Sequence, residues 1–278
     1  MRRHLARRRG GYGGVTAQIG AGLLHDGLTF ALGLVSGVLA GAFGVGGAIV
    51  TTPGVRLLGA SAFLAVGTTL PPTVLTAAAG TARYSREGLV DWRTFAVAGP
   101  VGAVAAVVGS LGSHVVPGGG HWLMIVTACL LGLSALRVAH PSAPPHEDSR
   151  AHPARHPRWP TAVGVGLAAG LLSGLLGVGG GLVLVPGFSE LVRLPLKRTI
   201  ATSLACVGVL AVPATVTHAF VGDVDWRLAA ILCVAAIPGT RVGAAAAIGA
   251  RDRRLRLVVG VVLGAIALVY GVAEAATL

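Results

Sequence analysis

The amino-acid sequence predicts an all-α, polytopic membrane protein built from two homologous halves. Hydrophobic residues make up 54% of the chain and charged residues only 12%, too little charge to cover a soluble domain of 278 residues. Segments 27–55 and 161–189 each run for 29 residues without Asp, Glu, Lys or Arg. Because about 20 apolar residues already cross the hydrocarbon core of a bilayer, either segment can enter the membrane.

The second basis for this prediction is an internal repeat. Residues 37–54 read GVLAGAFGVGGAIVTTPG and residues 170–187 read GLLSGLLGVGGGLVLVPG, which agree at 10 of 18 positions, six of them glycine. One residue further out of register, GTTL at 67–70 matches ATSL at 201–204, and DWR at 91–93 matches DWR at 225–227. The duplication therefore covers most of each half.

Each half reads as four hydrophobic blocks of roughly membrane-spanning length. The blocks are 27–58, 62–82, 94–112 and 121–139 in the first half, and 161–191, 198–220, 227–248 and 256–274 in the second. We therefore expect a basic N-terminal tail (1–26), a first transmembrane repeat (27–139), a polar linker rich in Pro, His and Arg (140–160), and a second repeat (161–278).

The first block of each half is too long for one straight span. A helix of 29 residues would be roughly 44 Å long, against a hydrocarbon thickness of about 30 Å. The GVGG sequence lies in the middle of the block. We expect the helix to be broken there, as two half-helices or a re-entrant hairpin, and such breaks survive in membranes only when buried in protein or lining a cavity.

Paired breaks in corresponding places of two halves are typical of transporter binding sites. A helix that restarts after the glycines offers amides without intrahelical partners and the positive end of its dipole, so it favours an anion. The predicted site residues in these two stretches are Gly44, Gly46, Gly47, Ala48, Gly177, Gly179, Gly180 and Gly181. Close helix packing is the favoured interpretation for the glycines four apart, which are Gly37, Gly41, Gly170 and Gly174.

Hydroxyl and basic side chains extend the candidate site. The repeated hydroxyls, which could donate to an oxyanion or bond to their own backbone, are Thr68, Thr69, Thr202 and Ser203. Arg241 is set well inside a hydrophobic block, where a charge indicates either function or a side chain that snorkels to the interface. His114, His121 and His218 are candidates for proton coupling, although all three lie near block ends, where interfacial histidines are ordinary.

Several other classes of function are disfavoured. The net charge of +12 comes from short connectors without stacking aromatics, so membrane topology explains it better than nucleic-acid binding. Cys129, Cys206 and Cys233 are widely spaced in apolar runs and indicate neither a metal site nor a disulfide framework. No nucleophile with an adjacent base and no carboxylate pair is evident, so we expect neither an enzyme nor a cofactor.

The doubled G-x-x-G-x-G-G-[AG]-x-x-x-x-P stretch, the [AG]-T-[TS]-L element and the DWR together resemble the TauE/SafE sulfite exporter family, over roughly residues 27–274. The resemblance implies a multi-pass inner-membrane carrier of sulfur-containing anions such as sulfite, sulfoacetate or related organosulfonates. It also implies that the seven glycines of the two GVGG stretches shape the site. The chain departs from internal symmetry at Ala48, where the second half has Gly181, and in its long His-rich linker.

The sequence thus predicts a secondary transporter that binds a small anion between two broken helices near the middle of the membrane. Its expected partners are the anion, a coupling proton or cation, and the bilayer, with an oligomer as a further option and no nucleic acid. An anion channel and a non-transporting scaffold subunit remain the alternatives. Orientation stays open, because the basic N-terminal tail opposes the charge of the other connectors, which places 193–198 and 251–256 in the cytoplasm.

Overall fold

The computed structural model describes residues 22–113, 129, 132–133, 159–177 and 179–275, and all regular structure in these ranges is helical. The helices are α1 (Leu23–Phe43), α2 (Ala48–Leu57), α3 (Ala62–Arg86), α4 (Trp92–Ser113), α5 (Trp159–Leu176), α6 (Gly181–Pro186, continued by a π-helical turn Gly187–Leu191), α7 (Leu196–Val221), α8 (Trp226–Gly249) and α9 (Asp252–Ala275).

Six helices of the described chain are long and apolar enough to cross a membrane, which confirms the prediction of an all-helical, multi-pass protein. They are α1, α3, α4, α5, α7 and α8. Helix α1 begins at Leu23 and α5 at Trp159, so both start a few residues before the predicted block. The predicted fourth block of the first half, most of the linker, the start of the N-terminal tail, His114 and His121 lie outside the described residues.

Local sequence explains where several helices begin and end. The hydroxyl of Ser61 accepts the amide of Leu64 at the start of α3, and the carboxylate of Asp225 accepts the amides of Arg227 and Leu228 at the start of α8. Both are the side-chain caps that helix N-termini favour. Helix α1 ends at Gly44, which is left-handed (φ 70°) and donates its amide to the carbonyl of Ala40 over 2.9 Å.

Helix α1 packs tightly along α8, and the two run in the same direction. A Cβ on Gly37 would collide with the backbone carbonyl of Ala236, and a Cβ on Gly41 with that of Thr240. Both partners advance along the chain together, so the helices are parallel and their backbones touch where glycine removes the side chain.

Helices α4 and α5 repeat this arrangement. A Cβ on Gly170 would collide with the carbonyl of Gly102, and a Cβ on Gly174 with that of Ala106. The first helix of one half therefore packs against a late helix of the other half in both cases. The two halves are interlocked rather than side by side.

Helices α3 and α7 cross in the centre of the bundle and run in opposite directions. Late on α3, Gly80 faces Leu204 near the beginning of α7, while Gly208 faces Ala77. Near the beginning of α3, Thr68 bonds to Asp225, which lies just past the end of α7. The order of contacts is reversed along the two helices.

These directions divide the bundle into two ends. At the first end lie the N-termini of α1, α3 and α8, joined by an ion pair between Asp26 and Arg227 (2.8 Å). At the second end lie the N-termini of α4, α5 and α7, where the amide of Asp91 donates to the hydroxyl of Thr202 over 2.9 Å. The helices that follow DWR thus start from opposite ends.

Helices α2 and α6 run back along the helices that precede them. A Cβ on Gly47 would lie 3.5 Å from the hydroxyl of Ser36, and one on Gly54 would collide with Leu32, so α2 returns along α1. In the second half, Gly187 meets Val165 in the same way, so α6 returns along α5. The chain therefore enters from the first end in one half and from the second end in the other.

Candidate functional site

Two glycine-rich turns separate α1 from α2 and α5 from α6. We call residues 44–47 the first glycine loop and residues 177–180 the second glycine loop. The glycines in left-handed conformations are Gly44 (φ 70°), Gly46 (φ 79°), Gly177 (φ 65°), Gly179 (φ 77°) and Gly180 (φ 71°). Side chains other than glycine adopt such angles only at a cost, which explains the glycine density of the motif. Gly47 differs, with a helical φ of −69°.

The two glycine loops touch each other inside the bundle. A Cβ on Gly181 would collide with the backbone of Val45, and a Cβ on Gly179 would lie 4.0 Å from the Val45 carbonyl oxygen. The same Cβ would lie 3.1 Å from Thr73 of α3 and 3.2 Å from Val207 of α7. The contact between the loops is therefore at the crossing of α3 and α7.

Short helices start at each loop. The amides of Val50 and Thr51 both donate to the carbonyl of Gly47 over 3.1 Å, so the amides of Ala48 and Ile49 precede the first bonds of α2. In the second half, the carbonyl of Gly180 accepts the first two bonds of α6 in the same way. The amides at a helix start and the positive end of the helix dipole can bind an anion without any charged side chain.

The predicted hydroxyl ligands take part in contacts between the halves. The hydroxyl of Thr68 accepts the amide of Asp225, and the hydroxyl of Thr202 accepts the amide of Asp91, each over 2.9 Å. Ser203 donates to the carbonyl of Gly44 over 2.7 Å, which satisfies an acceptor at the end of α1. These three side chains tie turns and loops of one half to helices of the other.

Thr69 lies in a buried hydroxyl cluster within the first half. Its hydroxyl is 2.9 Å from that of Thr52 on α2 and lies within bonding distance of the carbonyls of Ala65 (3.0 Å) and Val66 (3.1 Å). Bonds to the preceding turn are the usual partners of threonine in membrane helices. Thr69 thus joins α2 to α3.

The structure separates one predicted site residue from the rest. All eight loop residues and all four hydroxyl residues are buried, whereas Arg241 of α8 is exposed on the surface of the bundle. Its neighbour Thr240 is the residue that faces α1. Arg241 is therefore not brought into the region where the glycine loops meet.

Metal binding has no support in the part of the chain that the structure describes. No three side chains of His, Cys, Asp or Glu are grouped there in a way that could hold a metal ion. Cys206 is buried on α7 and Cys233 half-buried on α8, and both are free thiols. The chemistry that this region offers is that of backbone amides and hydroxyls.

Sequence reasoning missed three residues next to the site. Val45 forms the contact between the loops, although the motif itself contains a valine at this place in both copies. Tyr84 is buried and donates its hydroxyl to the carbonyl of Gly41 over 2.7 Å. His218 is buried and lies 3.3 Å from Asp223. Tyr84 and His218 are 134 residues apart, so the repeat offset could have singled out both.

Apolar helices of membrane-spanning length, packed around two buried glycine loops, define a multi-pass membrane protein with an irregular backbone at its centre. The chain belongs to the sulfite exporter TauE/SafE family, whose model matches residues 29–270. The protein is therefore a membrane transporter of this family.

Curated relatives agree with this assignment. The chain is 29% identical over 234 residues to a protein of Bacillus subtilis (strain 168) named "probable membrane transporter protein YunE", with 77% of this chain and 85% of the relative covered. It is 28% identical over 244 residues to a "probable membrane transporter protein" of Xylella fastidiosa (strain 9a5c), with 86% and 89% covered. No solved structure matches the chain.

Proposed function

We propose that the protein is a secondary transporter of small sulfur-containing anions, such as sulfite, sulfoacetate or related organosulfonates, and that the anion binds between the two glycine loops. The observation that carries the proposal is the buried contact between Val45 and Gly181. It joins two loops that each begin a short helix, so two sets of helix-start amides lie near one place. Such a site binds an anion without a permanent charge in the membrane.

The contacts between the halves support an alternating-access mechanism. The Thr68–Asp225 and Thr202–Asp91 bonds exchange residues that are 134 apart in the sequence, and the Gly37–Ala236 and Gly170–Gly102 contacts do so at offsets of 133 and 134. We infer an approximate two-fold axis in the membrane plane that relates residues 27–139 to residues 161–278. Inverted repeats with broken helices at the midplane are a recurring transporter architecture.

We further propose an inner-membrane location with the second end of the bundle in the cytoplasm. Arg56 and Arg227 are basic residues of the first end. Helices and connectors at the second end carry Arg83, Arg86, Arg93, Arg193, Lys197, Arg198, Arg251 and Arg254. Because Lys and Arg accumulate in cytoplasmic loops, this asymmetry favours the second end as the cytoplasmic one.

Flux in proteoliposomes tests the transport proposal. The purified protein is reconstituted, and the movement of sulfite, sulfoacetate and sulfate is followed under imposed gradients of anion, proton and sodium. We expect saturable flux with counterflow for at least one sulfur-containing anion. Flux that neither saturates nor shows counterflow would indicate a channel, and no anion movement under any gradient would leave the scaffold alternative.

A further inference from the structure

An ionisable pair is buried at the first end of the bundle. His218, in the last turn of α7, has a side chain with no exposed surface, and its Nδ1 lies 3.3 Å from Oδ2 of Asp223, whose side chain is 17% exposed. The sequence places His218 at a block end, where an interfacial position is ordinary. The structure instead turns it into the protein, against the carboxylate that follows the helix.

The pair belongs to the turn that closes the first end. The amides of Gly222 and Asp223 donate to the carbonyl of His218 over 3.1 and 3.0 Å. The backbone of Asp223 rests on Gly67 of α3, where a Cβ would collide with its carbonyl. Thr68 then holds the amide of Asp225. Any change at the His218–Asp223 contact therefore acts on how α7 and α8 dock on α3.

The second end has the same turn without the ionisable pair. There the amide of Leu89 donates to the carbonyl of Tyr84 over 3.2 Å, and Asp91 is held by Thr202. At the offset of 134, Tyr84 corresponds to His218 and Leu89 to Asp223. Tyr84 is neutral and donates to the carbonyl of Gly41. The two ends thus share a backbone arrangement and differ in whether it can bind a proton.

The charged groups around the pair are already engaged. Asp225 caps α8 through the amides of Arg227 and Leu228, and the guanidinium of Arg227 pairs with Asp26 of α1. His25 precedes Asp26 on α1. Residues 62–72 of α3 and residues 161–176 of α5 contain no ionisable side chain. The pair therefore meets an apolar wall on α3 and α5 and the ion pair of Asp26 and Arg227 on the α8 side.

We propose that His218 and Asp223 form a proton-binding site that takes up one proton when the first end closes and releases it when that end opens. A buried carboxylate beside a neutral imidazole carries a net charge, which is costly away from water, whereas one added proton makes the pair neutral overall. When the end opens, water solvates both groups and this preference is lost. Acidic conditions at the first end then favour closure, and alkaline conditions favour opening.

This site would couple the proposed anion transport to protons, and in that respect it rests on the proposed function. Its structural part can be tested without any substrate. Val66 of α3 is buried between the closing turn and Gly177 of the second glycine loop. A thiol there reports whether water reaches the interior from the first end.

The experiment places V66C in a chain whose Cys129, Cys206 and Cys233 are replaced by Ala, and measures labelling by a membrane-impermeant maleimide from about pH 6 to about pH 8, where histidine titrates. The control is the double exchange H218Y/D223L, which installs the neutral pair of the second end. Because the thiol ionises alike in both proteins, the ratio of labelling rates isolates the opening of the end. We expect this ratio to rise with pH, by up to about tenfold per unit for one linked proton.

A ratio that stays constant over this range would overturn the proposal. Where the double exchange fails to fold, H218Q and D223N take its place, and each is expected to flatten the dependence. Sulfite flux in proteoliposomes is then measured under a proton gradient, where the native pair is expected to respond and the neutral pair is not. A pH-dependent ratio without sulfite flux would support the proton site and count against the proposed substrate.

Discussion

The hydroxyl of Thr68 accepts a 2.9 Å hydrogen bond from the amide of Asp225, and Thr202 makes the same bond with Asp91. Both threonines are fully buried. Thr68→Val or Thr202→Val keeps the shape of the side chain but leaves a buried amide without its acceptor. We expect each change to lower the free energy of unfolding by about 1–3 kcal/mol, measured by thermal or denaturant unfolding in detergent.

The serine variants T68S and T202S retain the acceptor and are the matched controls, so their stability should be close to that of the unmodified protein. The alternative role as anion ligands predicts a different result. If T68V loses sulfite flux in proteoliposomes while its stability is unchanged, the hydroxyl acts on the substrate and the bond to Asp225 is secondary.

The contact between the glycine loops predicts a sharp difference between two neighbouring motif glycines. A Cβ on Gly181 would collide with the backbone of Val45, which no side-chain rotation can relieve, whereas a Cβ on Gly47 meets nothing closer than 3.5 Å, at a φ of −69°. Gly181→Ala should therefore disturb the loop contact and abolish flux. Gly47→Ala should fold and retain it. Size-exclusion profiles in detergent and anion flux measure both properties.

Equal loss of flux in the two variants, with both well folded, would mean that an added methyl group blocks the anion path at Gly47 itself. That outcome would contradict the expectation that Gly47 is spacious, and it would locate the path on the first glycine loop. Equal retention of flux would remove the contact with Val45 from the mechanism.

The packing glycines predict loss of stability. On α5, a Cβ at Gly170 would collide with the backbone of Gly102, while a Cβ at Gly164 meets nothing within 4 Å. We expect Gly170→Ala to destabilise the protein by at least about 1–3 kcal/mol, because two backbones must separate. Gly164→Ala should be neutral or should stabilise the helix by up to about 1 kcal/mol. Thermal unfolding of both variants in one detergent makes the comparison.

This pair also tests the scaffold alternative. Under that alternative, close packing is the whole purpose of the glycines, so G170A should impair function at least as much as a bulky residue at Gly46. The transport proposal predicts that a bulky residue at Gly46 abolishes flux while membrane insertion persists.

Composition and the repeat were enough to predict the helical membrane class, because apolar length and missing charge are properties of the residues themselves. The direction of the chain was not predictable in this way. The block 27–58 is too long for one span whether α2 continues along α1 or returns beside it, and only contacts such as Gly54 with Leu32 distinguish these paths. An even number of crossings per half was therefore an open choice in the sequence.

The hydroxyls and His218 show the same limit at the candidate site. Their repetition indicates a conserved geometry between the halves, yet a side chain that bonds to the other half and one that binds substrate give the same pattern in the sequence. The bond of Ser203 to Gly44 links residues 159 apart, so only the folded chain reveals it. Likewise, the burial of His218 depends on the turn around Asp223, which docks on α3.

The two tryptophans of the DWR motifs provide a test of the inverted arrangement and of its orientation. Trp92 and Trp226 are the first residues of α4 and α8, are 54% and 60% exposed, and lie at opposite ends of the bundle. In a chain with the native cysteines replaced, W226C should react with a membrane-impermeant maleimide in intact cells. W92C should react only after the cells are permeabilised, because the more basic second end faces the cytoplasm. The reverse pattern would invert the orientation, and labelling of both thiols in intact cells would contradict the opposed starts of α4 and α8.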